Sequence, residues 1–181
     1  MTRPMKCIFV CIIACLVLLS VVAQKKKSAV KIQYDKFKDV TCGTVDLGDL
    51  ATFRIRLSGE NVAVLMDAFY CSSGQKLERP TNIELRLRSR ATSWLSGMRE
   101  RTPRVIFLLD DSERLSLQGR YEYVVDKVLG GVSQITINAT PEEILQIANA
   151  KMVEFQISGD AYKLKQKNLE KLKDLAESGS Q

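Results

Sequence analysis

Two segments of the chain alternate strictly between apolar and charged side chains, and this pattern constrains the fold more than any other feature. Residues 53–57 read Phe-Arg-Ile-Arg-Leu, and residues 83–88 read Ile-Glu-Leu-Arg-Leu-Arg. Every second side chain of a β-strand lies on the same face of its sheet. Both segments are therefore predicted to be strands with one face in the core and the other in water.

Strand patterns fill most of the remaining chain. Nearly continuous apolar runs at 62–70 and 105–109 predict strands in the centre of a sheet. Asp110-Asp111-Ser112 predicts the turn of a hairpin, because Asp side chains bond their own local backbone. Further strands are predicted at 114–117, 121–128, 132–138, 153–157 and 162–164.

Helix signals appear only in the last third of the chain. Thr140-Pro141-Glu142-Glu143 predicts a helix start, because the Thr140 hydroxyl can accept from the backbone N–H of Glu143 while the Glu143 carboxylate reaches back. A closing amphipathic helix is predicted from the apolar positions Leu169, Leu172, Leu175 and Ala176. The predicted fold class is α+β: an antiparallel β-sheet or sandwich with two helices in the C-terminal third.

The first 23 residues predict a secretory signal peptide. Two basic residues precede an apolar run from Cys7 to Ala23, and small residues stand before Gln24 at the spacing that a signal peptidase reads. We expect cleavage after Ala23. The predicted organisation is a signal peptide at 1–23, a single α+β domain at 24–177 and a disordered tail at 178–181.

Two other interpretations of the leader stay open. Ile12-Ile13-Ala14-Cys15 has the residue types of a lipoprotein cleavage site, with Cys15 as the lipid acceptor. Alternatively, residues 7–23 stay uncleaved as a membrane anchor, and the lysines at 25–27 keep the domain on the cytoplasmic side. The predicted location is the periplasm or cell surface, with membrane anchoring by residues 7–23 as the alternative.

Residue types that are missing exclude several chemistries. The chain has no histidine, so Ser-His-Asp and Cys-His nucleophile activation and His-ligated metals are excluded. Outside the leader the cysteines are Cys42 and Cys71, which lack Cys-x-x-Cys spacing. We predict a disulfide between them, with two buried free thiols as the alternative. No metal site and no cofactor are predicted.

Arginine recurs at every second position of the two alternating segments. If the two strands are neighbours, their guanidinium groups share one surface that fits the phosphate or carboxylate groups of a lipid, an acidic glycan or a protein. The competing interpretation is a solvated strand face whose arginines pair with nearby acids. Nucleic acid is not favoured, because no aromatic residue interleaves with the arginines. The candidate anion-binding residues are Arg54, Arg56, Arg86, Arg88 and Arg90.

The acidic run at Asp110, Asp111 and Glu113 suggests an alternative chemistry. A glycan hydrolase working with carboxylates alone needs two acids that flank a cleft. Short acidic runs between strands are usually turns, and the spacing does not match a calcium loop. We therefore interpret this run as a turn and expect no enzyme activity, with a carboxylate-dependent envelope hydrolase as the alternative.

Two segments resemble parts of uncharacterised exported bacterial proteins. They are Tyr34-Asp35-Lys36-Phe37-Lys38-Asp39-Val40-Thr41 and Ile147-Ala148-Asn149-Ala150-Lys151-Met152-Val153-Glu154. The resemblance implies a bacterial, exported protein and carries no activity. Together with the leader it predicts a non-enzymatic binding or structural protein of the bacterial envelope. Its expected partner is an envelope protein or an anionic glycan or lipid, and it meets the membrane only through an uncleaved leader.

Overall fold

A computed structural model describes residues 28–54, 61–89, 102–126, 130–157 and 160–179. These residues form nine strands and two helices. The strands are β1 (Lys31–Asp35), β2 (Val40–Arg54), β3 (Asn61–Ser73), β4 (Ile83–Ser89), β5 (Arg104–Leu109), β6 (Glu113–Asp126), β7 (Gly130–Ala139), β8 (Val153–Ile157) and β9 (Asp160–Leu164), and the helices are α1 (Pro141–Asn149) and α2 (Gln166–Ala176).

The strands form one sheet in the order β1-β2-β3-β4-β7-β6-β5-β8-β9. Each neighbouring pair is antiparallel. The predicted α+β class, with an antiparallel sheet and two helices in the C-terminal third, is confirmed.

Strand β4 shows how the sequence alternation becomes a two-faced strand. Ile83, Leu85 and Leu87 are fully buried on its inner face. The residues between them are Glu84, Arg86 and Arg88, which are half-buried on the outer face. The other alternating segment enters β2 at residue 53, and its residues 55–57 lie outside the described part of the chain.

Strand β6 is shared between two different partners. Its residues 113–118 pair with β5, and its residues 119–126 pair with β7. Gly119 is the first residue of β6 that pairs with β7, and its N–H donates to the carbonyl of Pro103 at 2.8 Å. A Cβ at this position would lie 2.8 Å from Cγ2 of Ile135. A side chain at this position would collide with Ile135, so glycine allows β6 to pair with β7 here.

Both helices pack on the inner face of the sheet. Their apolar residues, including Ile144, Ile147, Leu169 and Leu172, belong to one hydrophobic cluster with the inward side chains of the strands. The predicted start of α1 is confirmed. The Thr140 hydroxyl accepts from the Glu143 N–H at 3.2 Å, and the Glu143 carboxylate accepts from the Thr140 N–H at 2.8 Å.

Residues 1–27 lie outside the described part of the chain, and with them lie the predicted leader, its cleavage site and Cys15. Ser178, assigned to the tail from sequence, hydrogen-bonds with the Tyr70 hydroxyl at 2.9 Å and donates to the Leu175 carbonyl at 2.6 Å. Within the described ranges, no helix combines the length and the apolar character that crossing a membrane requires.

Candidate binding surface on the sheet

The sheet order separates the two strands that carry the candidate arginines. Strand β3 lies between β2 and β4, so the two arginine-bearing strands are not neighbours. Arg54 ends β2 and is paired with Asn61 in the ladder. Arg56 and Arg90 lie outside the described residues. The candidate residues that the structure places side by side are Arg86 and Arg88.

A single carboxylate on β3 binds both of these arginines. Asp67 is paired with Arg86 across β3 and β4. Its Oδ1 accepts from Nε of Arg86 at 2.7 Å, and its Oδ2 accepts from Nη2 of Arg88 at 2.6 Å. Only 5% of Asp67 is exposed. Each oxygen of a buried carboxylate thus has a charged donor, as a buried charge requires.

The ring of Phe69 fixes the position of Arg86 from a second direction. The guanidinium carbon of Arg86 lies 3.9 Å from the centroid of the Phe69 ring, which is a cation–π contact. The Arg86 and Arg88 side chains keep 29% and 23% of their surface exposed. We call Asp67, Phe69, Arg86 and Arg88 the aspartate–arginine cluster.

Polar side chains continue from the cluster across β7 and β6. Arg88 is opposite Gln134 in the ladder, and Arg86 is opposite Thr136. The Gln134 amide donates to Glu122 and to the hydroxyl of Thr136, both at 3.1 Å. The outer face therefore carries acids beside its arginines. Because these charges partly cancel, the face attracts an anionic partner only at short range.

Sequence reasoning missed Asp67. The residue lies inside the run at 62–70 that predicted a central strand, and it is the one charged side chain of that run. An isolated carboxylate in an apolar strand must be paired if it is buried. That signal points to a cationic neighbour without any knowledge of the strand order.

The predicted disulfide is present beside the cluster. Cys42 on β2 and Cys71 on β3 are opposite each other in the ladder, with an S–S distance of 2.04 Å and a Cα–Cα distance of 4.1 Å. Asp67, Phe69 and Cys71 follow one another at every second position of β3, so they lie on the same face. The covalent link and the ion pairs therefore hold one continuous patch.

The acidic run between β5 and β6 is a turn, as predicted. Oδ1 of Asp110 accepts from the backbone N–H groups of Lys151 and Met152, each at 2.8 Å. Glu113 accepts from the side-chain amide of Gln146 at 2.6 Å. Asp110 and Asp111 have positive φ angles of 48° and 62°. Glu113 thus connects the start of β6 to α1, and Asp110 connects the turn to the segment before β8.

The edge of the sheet at β1 presents a different kind of surface. Ile32 is 62% exposed on β1, and Phe37 in the following turn is 89% exposed. The Tyr34 hydroxyl donates to Asp39 at 2.9 Å, and this bond is the main reason that the pKa of Tyr34 is raised. A groove of about 820 Å³ runs beside the strand, lined in part by Val30, Ile32, Leu77, Asp174 and Glu177.

No metal centre competes with these surfaces in the described ranges, where no three His, Cys, Asp or Glu side chains are grouped to hold an ion. Comparison of the chain with protein-family models, curated proteins and solved structures found no match. The geometry of the chain itself is therefore the basis for assigning a function.

Proposed function

We propose that this chain is an exported, non-enzymatic binding protein of the bacterial envelope, and that its aspartate–arginine cluster binds a carboxylate or phosphate group of an envelope partner. The observation that carries the proposal is the double ion pair of Asp67. It holds two guanidinium groups side by side on one strand face.

A prearranged guanidinium group loses little conformational entropy when it binds an anion. The ion pair with Asp67 uses Nε of Arg86. The Nη groups of Arg86 are the donors that we assign to the partner. Because a guanidinium fork matches the two oxygens of a carboxylate or phosphate, the cluster suits a bidentate contact.

The disulfide supports the exported part of the proposal. Disulfides persist in oxidising compartments and are rare in the cytosol, where thiol reductants keep cysteines reduced. The Cys42–Cys71 bond joins adjacent strands in regular register. This agrees with the export predicted from the leader sequence.

The turn acids support the non-enzymatic part. A hydrolase that uses carboxylates needs one acid free to donate a proton and another free to act as base or nucleophile. Asp110 instead binds two backbone N–H groups, and Glu113 binds the Gln146 amide. The hydrogen bonds of these two acids thus stabilise the turn and its contacts with α1 and the segment before β8.

The test compares two arginine variants of equal charge. Arg86→Gln removes the proposed anion contact, whereas Arg104→Gln removes an exposed arginine on β5, away from the cluster. The processed protein is passed over immobilised polygalacturonate, which offers carboxylates, and mixed with phosphatidylglycerol vesicles, which offer phosphates. Phosphatidylcholine vesicles, whose headgroups are zwitterionic and carry no net charge, serve as the control.

We expect Arg86→Gln to weaken binding to one of the two anionic probes by roughly tenfold, since a hydrogen bond to a charged group is lost. Arg104→Gln should change it by less than about twofold, because an exposed charge is screened by salt. Equal losses in both variants, or no loss in either, would show that the cluster is not the binding site.

A further inference from the structure

In the described part of the chain, no strand pairs with the outer side of β1. The sheet has β1 at one end and β9 at the other. Strand β9 contacts β2, so that end of the sheet lies against the rest of the protein. Four of the five residues of β1 are exposed. An open edge offers a row of backbone donors and acceptors to another strand.

The alternation of hydrogen-bonded and non-hydrogen-bonded residue pairs shows which backbone N–H and C=O groups of β1 point away from β2. Opposite residues in an antiparallel ladder alternate between hydrogen-bonded pairs about 5.5 Å apart and non-hydrogen-bonded pairs about 4.5 Å apart. Cys42 and Cys71, with Cα atoms 4.1 Å apart, are a non-hydrogen-bonded pair. The bond from the Gly74 N–H to the Asp39 carbonyl, three positions along the ladder, gives the same phase.

The same phase carries over to β1. Because the N–H and C=O of Cys42 do not bond β3, they point to β1, where Cys42 is opposite Gln33. Gln33 therefore directs its own backbone groups inward. Its neighbours Ile32 and Tyr34 direct their N–H and C=O groups toward the open side.

We propose that β1 pairs with β1 of a second copy of this chain, antiparallel and centred on Gln33. In this register Ile32 lies opposite Tyr34 of the second copy, so each pair exchanges two backbone hydrogen bonds and the two-fold axis generates the second pair. Both residues project from the same face of the strand, so an apolar side chain meets an aromatic one across the interface.

Charge selects this register over its neighbours. When the pairing is centred on Gln33, Lys31 lies opposite Asp35 of the second copy, once on each side of the axis. Outward hydrogen bonding also permits centres at Ile32 and Tyr34. These place Lys31 opposite Gln33 or opposite Phe37, so neither forms the ion pair. Opposite charges directly across two strands stabilise the pairing.

The two β1 strands meet over only the five residues that each contributes. The interface is small, and we expect a weak, reversible dimer.

The test exploits the reciprocity of the Lys31–Asp35 pair. Lys31→Glu alone places two carboxylates opposite each other, and Asp35→Lys alone places two ammonium groups opposite each other, so each variant should be monomeric in sedimentation equilibrium. A mixture of the two variants restores opposite charges at both positions. It should form a heterodimer with roughly tenfold higher association than either variant alone.

The mixing experiment also controls for folding. Asp35 accepts from the Phe37 N–H at 2.9 Å, so Asp35→Lys disturbs the turn as well as the proposed interface. A misfolded variant would not recover association when it is mixed with Lys31→Glu. A native chain that stays monomeric at high concentration overturns the proposal. So do single variants that associate like the native chain, and so does a mixture that stays monomeric although both variants keep the circular dichroism spectrum of the native fold.

Discussion

The aspartate–arginine cluster and the open edge at β1 use similar sequences in opposite ways. Both strands alternate polar and apolar residues, as Leu85-Arg86-Leu87-Arg88 and Lys31-Ile32-Gln33-Tyr34-Asp35 show. In β4 the charges find a carboxylate on the adjacent strand. Among the described residues, β1 has a neighbouring strand on one side only. The position of a strand in the sheet, rather than its residue pattern, decides whether its charges are paired within the protein or its edge stays available to a partner.

The largest effect is expected from removing the covalent link beside the cluster. Replacing both Cys42 and Cys71 by alanine should lower the free energy of unfolding by roughly 3 to 4 kcal/mol, because the unfolded chain regains the entropy of the closed loop. Denaturant melts of the variant and the native protein measure this difference. Treating the native protein with a reductant should reproduce it, and unchanged stability after complete reduction would contradict the prediction.

A somewhat smaller loss is expected when the cluster loses its carboxylate charge. Asp67→Asn should destabilise the fold by about 2 to 3 kcal/mol, because two partly buried guanidinium groups lose their ionic partner. Asp49→Asn, at an exposed position on β2, is the matched control and should stay within about 0.5 kcal/mol of the native protein. Equal effects of the two variants in denaturant melts would mean that the ion pairs contribute no stability.

The β5–β6 turn depends on hydrogen bonds from one exposed side chain, that of Asp110. Asp110→Ala should cost about 1 to 2 kcal/mol, since two backbone N–H groups lose their acceptor and alanine tolerates the positive φ poorly. Asp110→Asn keeps an oxygen acceptor and suits that conformation, so it should cost less. Thermal melts that rank the two variants in the reverse order would contradict this account.

Tyr70 and Tyr34 both have a raised pKa, but the cause differs between the interior and the open edge. Burial raises the pKa of Tyr70 from its ordinary value of 10.0, whereas Tyr34 on the open edge owes its raised pKa to the Asp39 hydrogen bond. The unfolded chain therefore releases the Tyr70 proton before the folded chain does, and stability falls as pH rises above 10.0. Tyr70→Phe should reduce this fall in denaturant melts across that range. An unchanged slope would exclude Tyr70 as its source.

The smallest effect on folding is expected at the edge strand. Lys31→Glu should change the free energy of unfolding by less than about 0.5 kcal/mol, because Lys31 is exposed. A dilute sample keeps association from contributing to the measured stability. A loss of unfolding free energy comparable to that of Asp67→Asn would show that Lys31 is tied into the fold as firmly as the aspartate–arginine cluster.

Local patterns predicted the strands from β3 onward and both helices, because alternation, capping and turn chemistry act over a few residues. The Thr140 cap, the turn at Asp110 and the two faces of β4 all follow from such short-range physics. The Cys42–Cys71 bond followed from there being two cysteines outside the leader. These predictions needed no knowledge of which strands are neighbours.

The candidate surface was harder to predict because it depends on strand order. The five-arginine surface assumed that β2 and β4 are neighbours, and β3 between them supplies Asp67 instead. Strand order is set by contacts between distant parts of the chain, which no periodicity reports. Strand β1 and residues 40–52 of β2 were not predicted as strands from the sequence, so the open edge at β1 was missed with them.

The order of the strands also has a consequence for how the chain folds. Most neighbours in the sheet are consecutive along the chain, and β4 with β7 and β5 with β8 are the pairs that join distant segments. Closing long loops slows folding, so the hairpins should assemble early and these two junctions late. Because these closures limit the folding rate, we expect destabilising substitutions at the β4–β7 junction to slow refolding.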